Sequence, residues 1–401
     1  MALGLYLNPS NEDFAKCLRS QIYVDKSELI SYTNQVFLTQ QCYICVSRPR
    51  RFGKTTAAAM LNAYYNRECN SRVMFENLKI SKNPAYEQHL NKYDVIYLNI
   101  QDFMSQSGSV NKMISKIYQK IANDILNVYP NLDKYISQGE YIDALNSLFI
   151  TSGTPIVFII DEWDCVFREY NTNFTDQKKF LDFLRNLLKD RKYVGLAYMT
   201  GILPIKKYNS QSALNMFDEF SMTDSGKLAQ FVGFTHDEVV SLCDKYKMNY
   251  DEMARWYDGY SFPEADTVYN PKSVVTALLS GKFNNYWTKT VTYEALSIYF
   301  DMNFDGLKDT IIKLFTDQRK AIDVETFTND MISFKSCDDI LTLLIHLGYL
   351  GYDFKTKEVF IPNKEIRDEY VRSIKAIGWN EIINALQASD KTVLTDDCEQ
   401  A

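Results

Sequence analysis

Residues 42–60 read CYICVSRPRRFGKTTAAAM, and the way this stretch divides decides the fold. Residues 42–46 are a short apolar, β-branched run that predicts a buried strand, and the Ala-rich run 55–61, continuing to Tyr65, predicts a helix. Between them stand Arg48, Pro49, Arg50, Arg51, Phe52, Gly53 and Lys54, and the helix opens on Thr55 and Thr56. A strand, a tight loop and a helix opening on Gly-Lys-Thr is the order a phosphate-binding loop requires. Loop N–H groups and the helix N-terminus then point at one place and favour an anion there. In that reading residues 48–56 surround the phosphates of ATP, Lys54 reaches the β and γ phosphates, and the Thr55 hydroxyl ligates Mg2+. Arg48 stands where the G-x-x-x-x-G-K-[ST] consensus has its first glycine, so the chain leaves the strand by a different turn, restricted by Pro49. The bland alternative is a solvated basic turn ahead of an ordinary helix.

A second signal lies downstream. Residues 155–160, PIVFII, end in Asp161, Glu162, Trp163 and Asp164. A strand this apolar is buried on both faces of a parallel sheet, and it delivers its terminal carboxylates to the carboxyl edge, where doubly wound sheets bind ligands. Adjacent buried carboxylates repel each other, and a bound cation explains the pair better than packing does. Asp161 is therefore the expected Mg2+ partner beside Thr55, and Glu162 is the expected catalytic base that orients or deprotonates an attacking water. Asp164 reads as the cap of the following helix. The next apolar run, 193–199, stops at Thr200 and Gly201. Thr200 either contacts the γ-phosphate or only opens a turn. Of Arg48, Arg50 and Arg51, one is expected to touch phosphate while the others pair with acids, with Lys206 and Lys207 as further candidates.

Around these signals strands alternate with helices. Residues 94–100 read as another buried strand, with helices over 110–128, 140–149 and 175–190. The fold class is therefore α/β, a doubly wound, mostly parallel sheet covered on both faces. Upstream, a helix over 11–19 precedes Tyr23-Val24-Asp25-Lys26-Ser27, in which Asp25 or Ser27 would cap a helix over 28–33. A segment just before the loop strand is also a place to meet a nucleotide base. From about residue 220 the buried-strand runs stop. Helices are expected over 236–245, 251–257, 272–279, 294–303, 306–315 and 337–347, and residues 348–353 and 358–361 flank a polar turn as a hairpin would. The reading divides the chain into an N-terminal segment 1–36, a core 37–220, a helical lid 221–335, a winged-helix-like region 336–386 and a tail 387–401. A winged helix binds DNA or packs against a core, and no basic cluster here decides for DNA.

The 401 residues are 46% hydrophobic, enough for a sizeable core and two or three domains. A net charge of −7 excludes a generally basic, nucleic-acid-coating surface and leaves such a role to a local patch. No basic leader and no run of about eighteen apolar residues is present, so a soluble, cytoplasmic protein with no membrane partner is expected. The eight cysteines lack disulfide spacing and read as reduced thiols. Cys42 and Cys45 sit three apart on a strand and face opposite sides, as packing residues. His89, His236 and His346 are too dispersed for a His-based metal site or triad, and His346 lies in the apolar run 341–350 as a core residue.

Taken together, RPRRFGKTT, IVFIIDEWD, YVDKS, the Thr200-Gly201 turn, FVGFTHDEV, WYDGY, YNPKSVV and FIPNKEIR resemble the AAA-ATPase-like family of bacterial proteins. The resemblance runs from about Tyr23 to Arg367. It implies a P-loop NTPase core of the additional-strand type, with Lys54, Thr55, Asp161 and Glu162 in the roles argued above, and in that family Arg routinely replaces the first loop glycine. Many members carry a nuclease-like domain after the segment matching FIPNKEIR. A nuclease of that type needs a strand-borne acid followed by an acid-x-Lys on the next strand, the acids holding Mg2+; neither Asp353 nor Glu358, which is followed by Val359 and Phe360, supplies that pattern, so nuclease activity is not carried over.

The leading expectation is Mg2+-dependent ATP hydrolysis that switches the position of a helical domain. The alternative is a nucleotide-dependent scaffold or sensor with negligible turnover. A small-molecule kinase fits less well, since no acceptor-binding lid is visible. A protein partner and an oligomer supplying an arginine finger are left open.

Overall fold

The protein is described here from a computed structural model covering residues 4–136, 138–169, 173–205, 207–208, 211–212, 214–287, 306–327, 334 and 336–377. The helix expected over 294–303, Lys206 and the tail 387–401 lie outside the described residues. The chain divides into two units. One comprises Met1–Pro49, Gly53–Asp224 and Thr328–Ile332; the other comprises Arg50–Phe52, Ser225–Phe327 and Ser333–Ala401.

The first unit is built on five parallel strands: β1 (Tyr43–Ser47), β2 (Asp94–Asn99), β3 (Ile156–Asp161), β4 (Val194–Gly201) and β5 (Asp218–Phe220). Their order across the sheet is β2-β3-β4-β1-β5. Every residue of β3 and β4 is buried, as continuous apolar runs require when helices cover both faces. From β1 the chain crosses to the far edge, returns through β3 and β4, and passes β1 again to reach β5. Right-handed crossovers therefore put the helix after β1 on one face and the helices between β2 and β4 on the other. Helix Lys54–Tyr65 packs on β2, β3 and β4 and against Glu12–Leu18, whereas Val110–Val128 packs against Ile100–Ser105, Tyr141–Ser152 and Phe174–Leu188. Ala57, Ala58 and Ala59 give Lys54–Tyr65 a small-residue face, and the helix is buried along nearly its whole length. This is a doubly wound α/β sheet with one strand, β4, inserted between the loop strand β1 and the acidic strand β3.

The edge strand β2 is covered by the N-terminal segment. Asn8 N donates to Val95 O at 2.7 Å, Tyr97 N to Tyr6 O at 2.9 Å, and Val95 N to Asn8 Oδ1 at 2.8 Å, which removes an open edge from pairing with another chain. Asp25 and Ser27 do not cap helix Leu29–Val36 with their side chains. Asp25 Oδ2 accepts from Lys79 N at 2.7 Å and Ser27 Oγ from Ile80 N at 3.1 Å, satisfying the opening donors of the 3₁₀ turn Lys79–Lys82 instead. Separations of 54 and 53 residues hide that pairing from a local reading.

The second unit is mainly helical, with His236–Tyr246, Tyr250–Tyr257, Pro271–Ser280, Leu307–Phe315, Cys337–Leu347 and Lys364–Ile377. Thr235 and Glu238 cap the first of these reciprocally. Strands continue past residue 220, contrary to the periodicity reading. Tyr260–Phe262 and Phe234–Thr235 flank Ala265–Tyr269 in an antiparallel sheet, as segments too short to show alternation. Cys337–Leu347 runs into the hairpin Gly351–Asp353 and Glu358–Phe360, in the order helix then wing, with Lys320–Ala321 pairing as a third strand. His346 is buried and stacks on Phe327 at 5.6 Å between ring centroids.

Candidate functional site

β1, β3 and β4 end side by side, and their ends carry the polar residues. Arg48 N bonds to Gly201 O at 3.0 Å, so the loop leaves β1 against the end of β4. Gly53 opens helix Lys54–Tyr65 at φ +94, a left-handed conformation that an L side chain rarely adopts. A Cβ there would meet nothing within 4 Å, so the demand for glycine is conformational rather than steric. Arg51 also has positive φ, +69.

Lys54 lies inside the loop. Its ammonium donates to Arg48 O and Pro49 O, each at 2.9 Å. Burial lowers the pKa of Lys54, opposed by the carboxylates of Glu162, Asp161 and Asp164. Thr55 Oγ1 donates to Asp161 Oδ2 at 2.8 Å, Thr200 Oγ1 to Asp161 Oδ1, and Glu162 N to Asp161 Oδ1 at 3.0 Å. Asp161 is fully buried, and these donors offset its desolvation. The sheet thus brings Lys54, Thr55, Asp161, Glu162 and Thr200 to one edge, from the ends of two strands and one helix. An oxygen-only pair formed by Thr55 and Asp161 suits Mg2+, which takes one or two protein oxygens and fills its shell with phosphate and water. Among the described residues no group of three or more His, Cys, Asp or Glu side chains forms a self-sufficient metal cage.

Glu162 occupies the left-handed region at φ +53. Burial raises its pKa, Lys54 and Arg168 oppose that rise, and Asp164 and Asp161 add to it. Its Oε2 meets Arg168 Nη2 at 2.6 Å, and Arg168 Nε meets Asp164 Oδ2 at 3.1 Å. Asp164 precedes helix Cys165–Glu169, but its Oδ2 accepts from Ile202 N at 3.1 Å and Leu203 N at 2.9 Å. The carboxylate expected to cap a helix instead fixes the chain just past Thr200. Gly201 makes that approach possible. A Cβ on it would stand 2.6 Å from the Trp163 indole and 2.7 Å from Asp164 Oδ1.

The other loop residues divide. Arg48 is fully buried, with Nη1 donating to Ser47 O at 2.9 Å, Phe220 O at 3.2 Å and Ser221 O at 2.8 Å. Its guanidinium joins the ends of β1 and β5 through three carbonyls, a place the consensus glycine would leave unfilled. Pro49 is buried, while Arg50 and Thr56 are exposed, and Thr56 Oγ1 lies 3.9 Å from Cys17 Sγ. Within the second unit Arg51 Nη1 donates to Tyr286 O at 2.7 Å, and Phe52 stacks edge-on against Tyr260 at 5.4 Å. Lys207 pairs with Ser212 in two-residue strands. Sequence reasoning missed Arg168. The signal that finds half of its role is spacing: four residues beyond Asp164, one helical turn brings its guanidinium beside that carboxylate, whereas its reach to Glu162 shows only in the fold.

The sequence model of one family, described as Predicted AAA-ATPase, matches residues 11–209. Residues 11–209 belong to the AAA-ATPase-like family. The matched segment holds the loop, Asp161, Glu162 and Thr200, so nucleotide binding and ATPase chemistry in general terms attach to this part of the chain. WYDGY, YNPKSVV and FIPNKEIR lie beyond it. No curated protein matches the chain. Among solved structures, the ORC2 protein of Aeropyrum pernix, described as ADPNP-ADP complexes, aligns over 92% of this chain and 98% of its own at 12% identity and a TM-score of 0.39. No helix among the described residues is long and apolar enough to cross a membrane.

Proposed function

We propose that the protein is a Mg2+-dependent ATP hydrolase whose nucleotide state is transmitted to its second unit. The observation that carries this reading is the convergence of Lys54, Thr55, Asp161, Glu162 and Thr200 at one sheet edge, with Asp161 tied to both Thr55 and Thr200. Lys54 holds phosphate oxygens, exchanging the Arg48 and Pro49 carbonyls for stronger charge-assisted contacts. Thr55 and Asp161 hold Mg2+, which when bound neutralises charge on the phosphate oxygens. Glu162 orients a water and takes its proton, and Thr200 fixes the Asp161 carboxylate from β4. Arg50–Phe52 count with the second unit although they stand between Pro49 and Gly53, so a change in loop geometry is carried to that unit through the chain itself. A partner or a further copy of the chain would use that motion.

A second reading, nucleotide binding with negligible turnover, is favoured by the engagement of the Glu162 carboxylate with Arg168 at 2.6 Å. Calorimetric titration with ATP and with Mg2+-ATP, for wild type and Lys54→Ala, tests the binding that both readings share. Binding by wild type that Mg2+ strengthens and Lys54→Ala abolishes is expected. Failure of wild type to bind would overturn both.

A further inference from the structure

Arg168 sits between the two acids that follow Asp161. Its guanidinium is forked, with Nη2 on Glu162 Oε2 at 2.6 Å and Nε on Asp164 Oδ2 at 3.1 Å, and the side chain is only 13% exposed. Asp164 cannot drift, because it is completely buried and its Oδ2 also takes the amides of Ile202 and Leu203. The fork is thus anchored at one end to the backbone just past Thr200, while its other end grips the carboxylate expected to activate water. Glu162 needs such a grip. Its backbone is in the left-handed region at φ +53, and the groups facing it are Lys54 from the loop helix, Asp161 from β3, Asp164 from the following turn and Arg168 from the short helix.

We propose that Arg168 is a positioning residue for Glu162: anchored on Asp164, it holds the Glu162 carboxylate in one rotamer at the end of β3. It touches no substrate and acts through Glu162, so this inference rests on the hydrolytic reading above. A planar guanidinium is suited to the task, since it binds two carboxylates at a fixed angle and an ammonium does not.

The test compares wild type, Arg168→Gln and Arg168→Lys by kcat and KM for ATP. Alongside, ATP binding by each protein is measured by calorimetric titration. In Arg168→Gln, kcat falls about tenfold or more while KM stays within about twofold, as expected when a reacting group is misplaced and nucleotide binding is untouched. Arg168→Lys keeps the charge and the fold but not the planar fork, and restores only part of kcat. Unchanged or increased kcat in Arg168→Gln, or a fall in kcat matched by a rise in KM, overturns the proposal. Wild type that binds ATP without turning it over overturns the hydrolytic reading on which the role rests, and the binding titration tells that failure apart from a failure of Arg168 alone.

Discussion

Glu365 in the second unit is a buried acid whose replacement has a calculable consequence. It is 1% exposed, and its carboxylate accepts from Ser273 Oγ at 2.8 Å, Tyr286 N at 2.6 Å and Trp287 N at 2.9 Å. Burial nevertheless dominates and pushes its pKa from 4.5 up to about 7, against the pull of those donors and of Arg51. The folded protein therefore holds a proton here that the unfolded chain releases between those two values. Stability from this group is fully present below pH 4.5 and is lost as pH rises through about 7, an effect of about 3 kcal/mol. Glu365→Gln keeps the shape and an acceptor oxygen for the Tyr286 and Trp287 amides but does not titrate. The assay is urea unfolding of both proteins at half-unit intervals from pH 4.5 to 8.5, with the difference between them isolating this residue. Glu365→Gln should gain about 3 kcal/mol relative to wild type between the two ends. Parallel stability curves would refute the reasoning, and so would a relative loss with rising pH.

Two further substitutions test the strand ends. Arg48→Gly restores the consensus loop residue but removes the donor shared by Ser47 O, Phe220 O and Ser221 O, and should cost about 3 kcal/mol in urea unfolding, since buried acceptors lose their partner; a neutral or stabilising effect would contradict the clamp. Gly201→Ala drives a methyl into the fully buried Trp163 and into Asp164, and about 2 kcal/mol of destabilisation is expected, with tryptophan fluorescence altered in the native state.

The α/β core was legible because its signals are local. Strand β3 is apolar at every position until Asp161, since both its faces are covered, and the loop announces itself through Gly53, Lys54 and Thr55 in one line of sequence. What stayed hidden depends on partners remote in sequence. Arg48 reads as a basic loop residue, yet its guanidinium binds carbonyls at Phe220 and Ser221, about 170 positions away. Asp164 reads as a cap because capping is the commonest use of such an acid, and only the return of β4 beside β3 brings it the amides of Ile202 and Leu203. Arg168 has no motif around it, and its meaning appears once Glu162 and Asp164 are known to face the same way. The strands Phe234–Thr235 and Tyr260–Phe262 are too short for a period of two to register.

The central claim is that Lys54 and Glu162 divide the work between binding and hydrolysis. Steady-state phosphate release with Mg2+ and ATP, measured beside nucleotide binding for wild type, Lys54→Ala and Glu162→Gln, tests it most directly. The account predicts turnover in wild type, neither binding nor turnover in Lys54→Ala, and ATP retained without turnover in Glu162→Gln. Phosphate release by Glu162→Gln at the wild-type rate would contradict it.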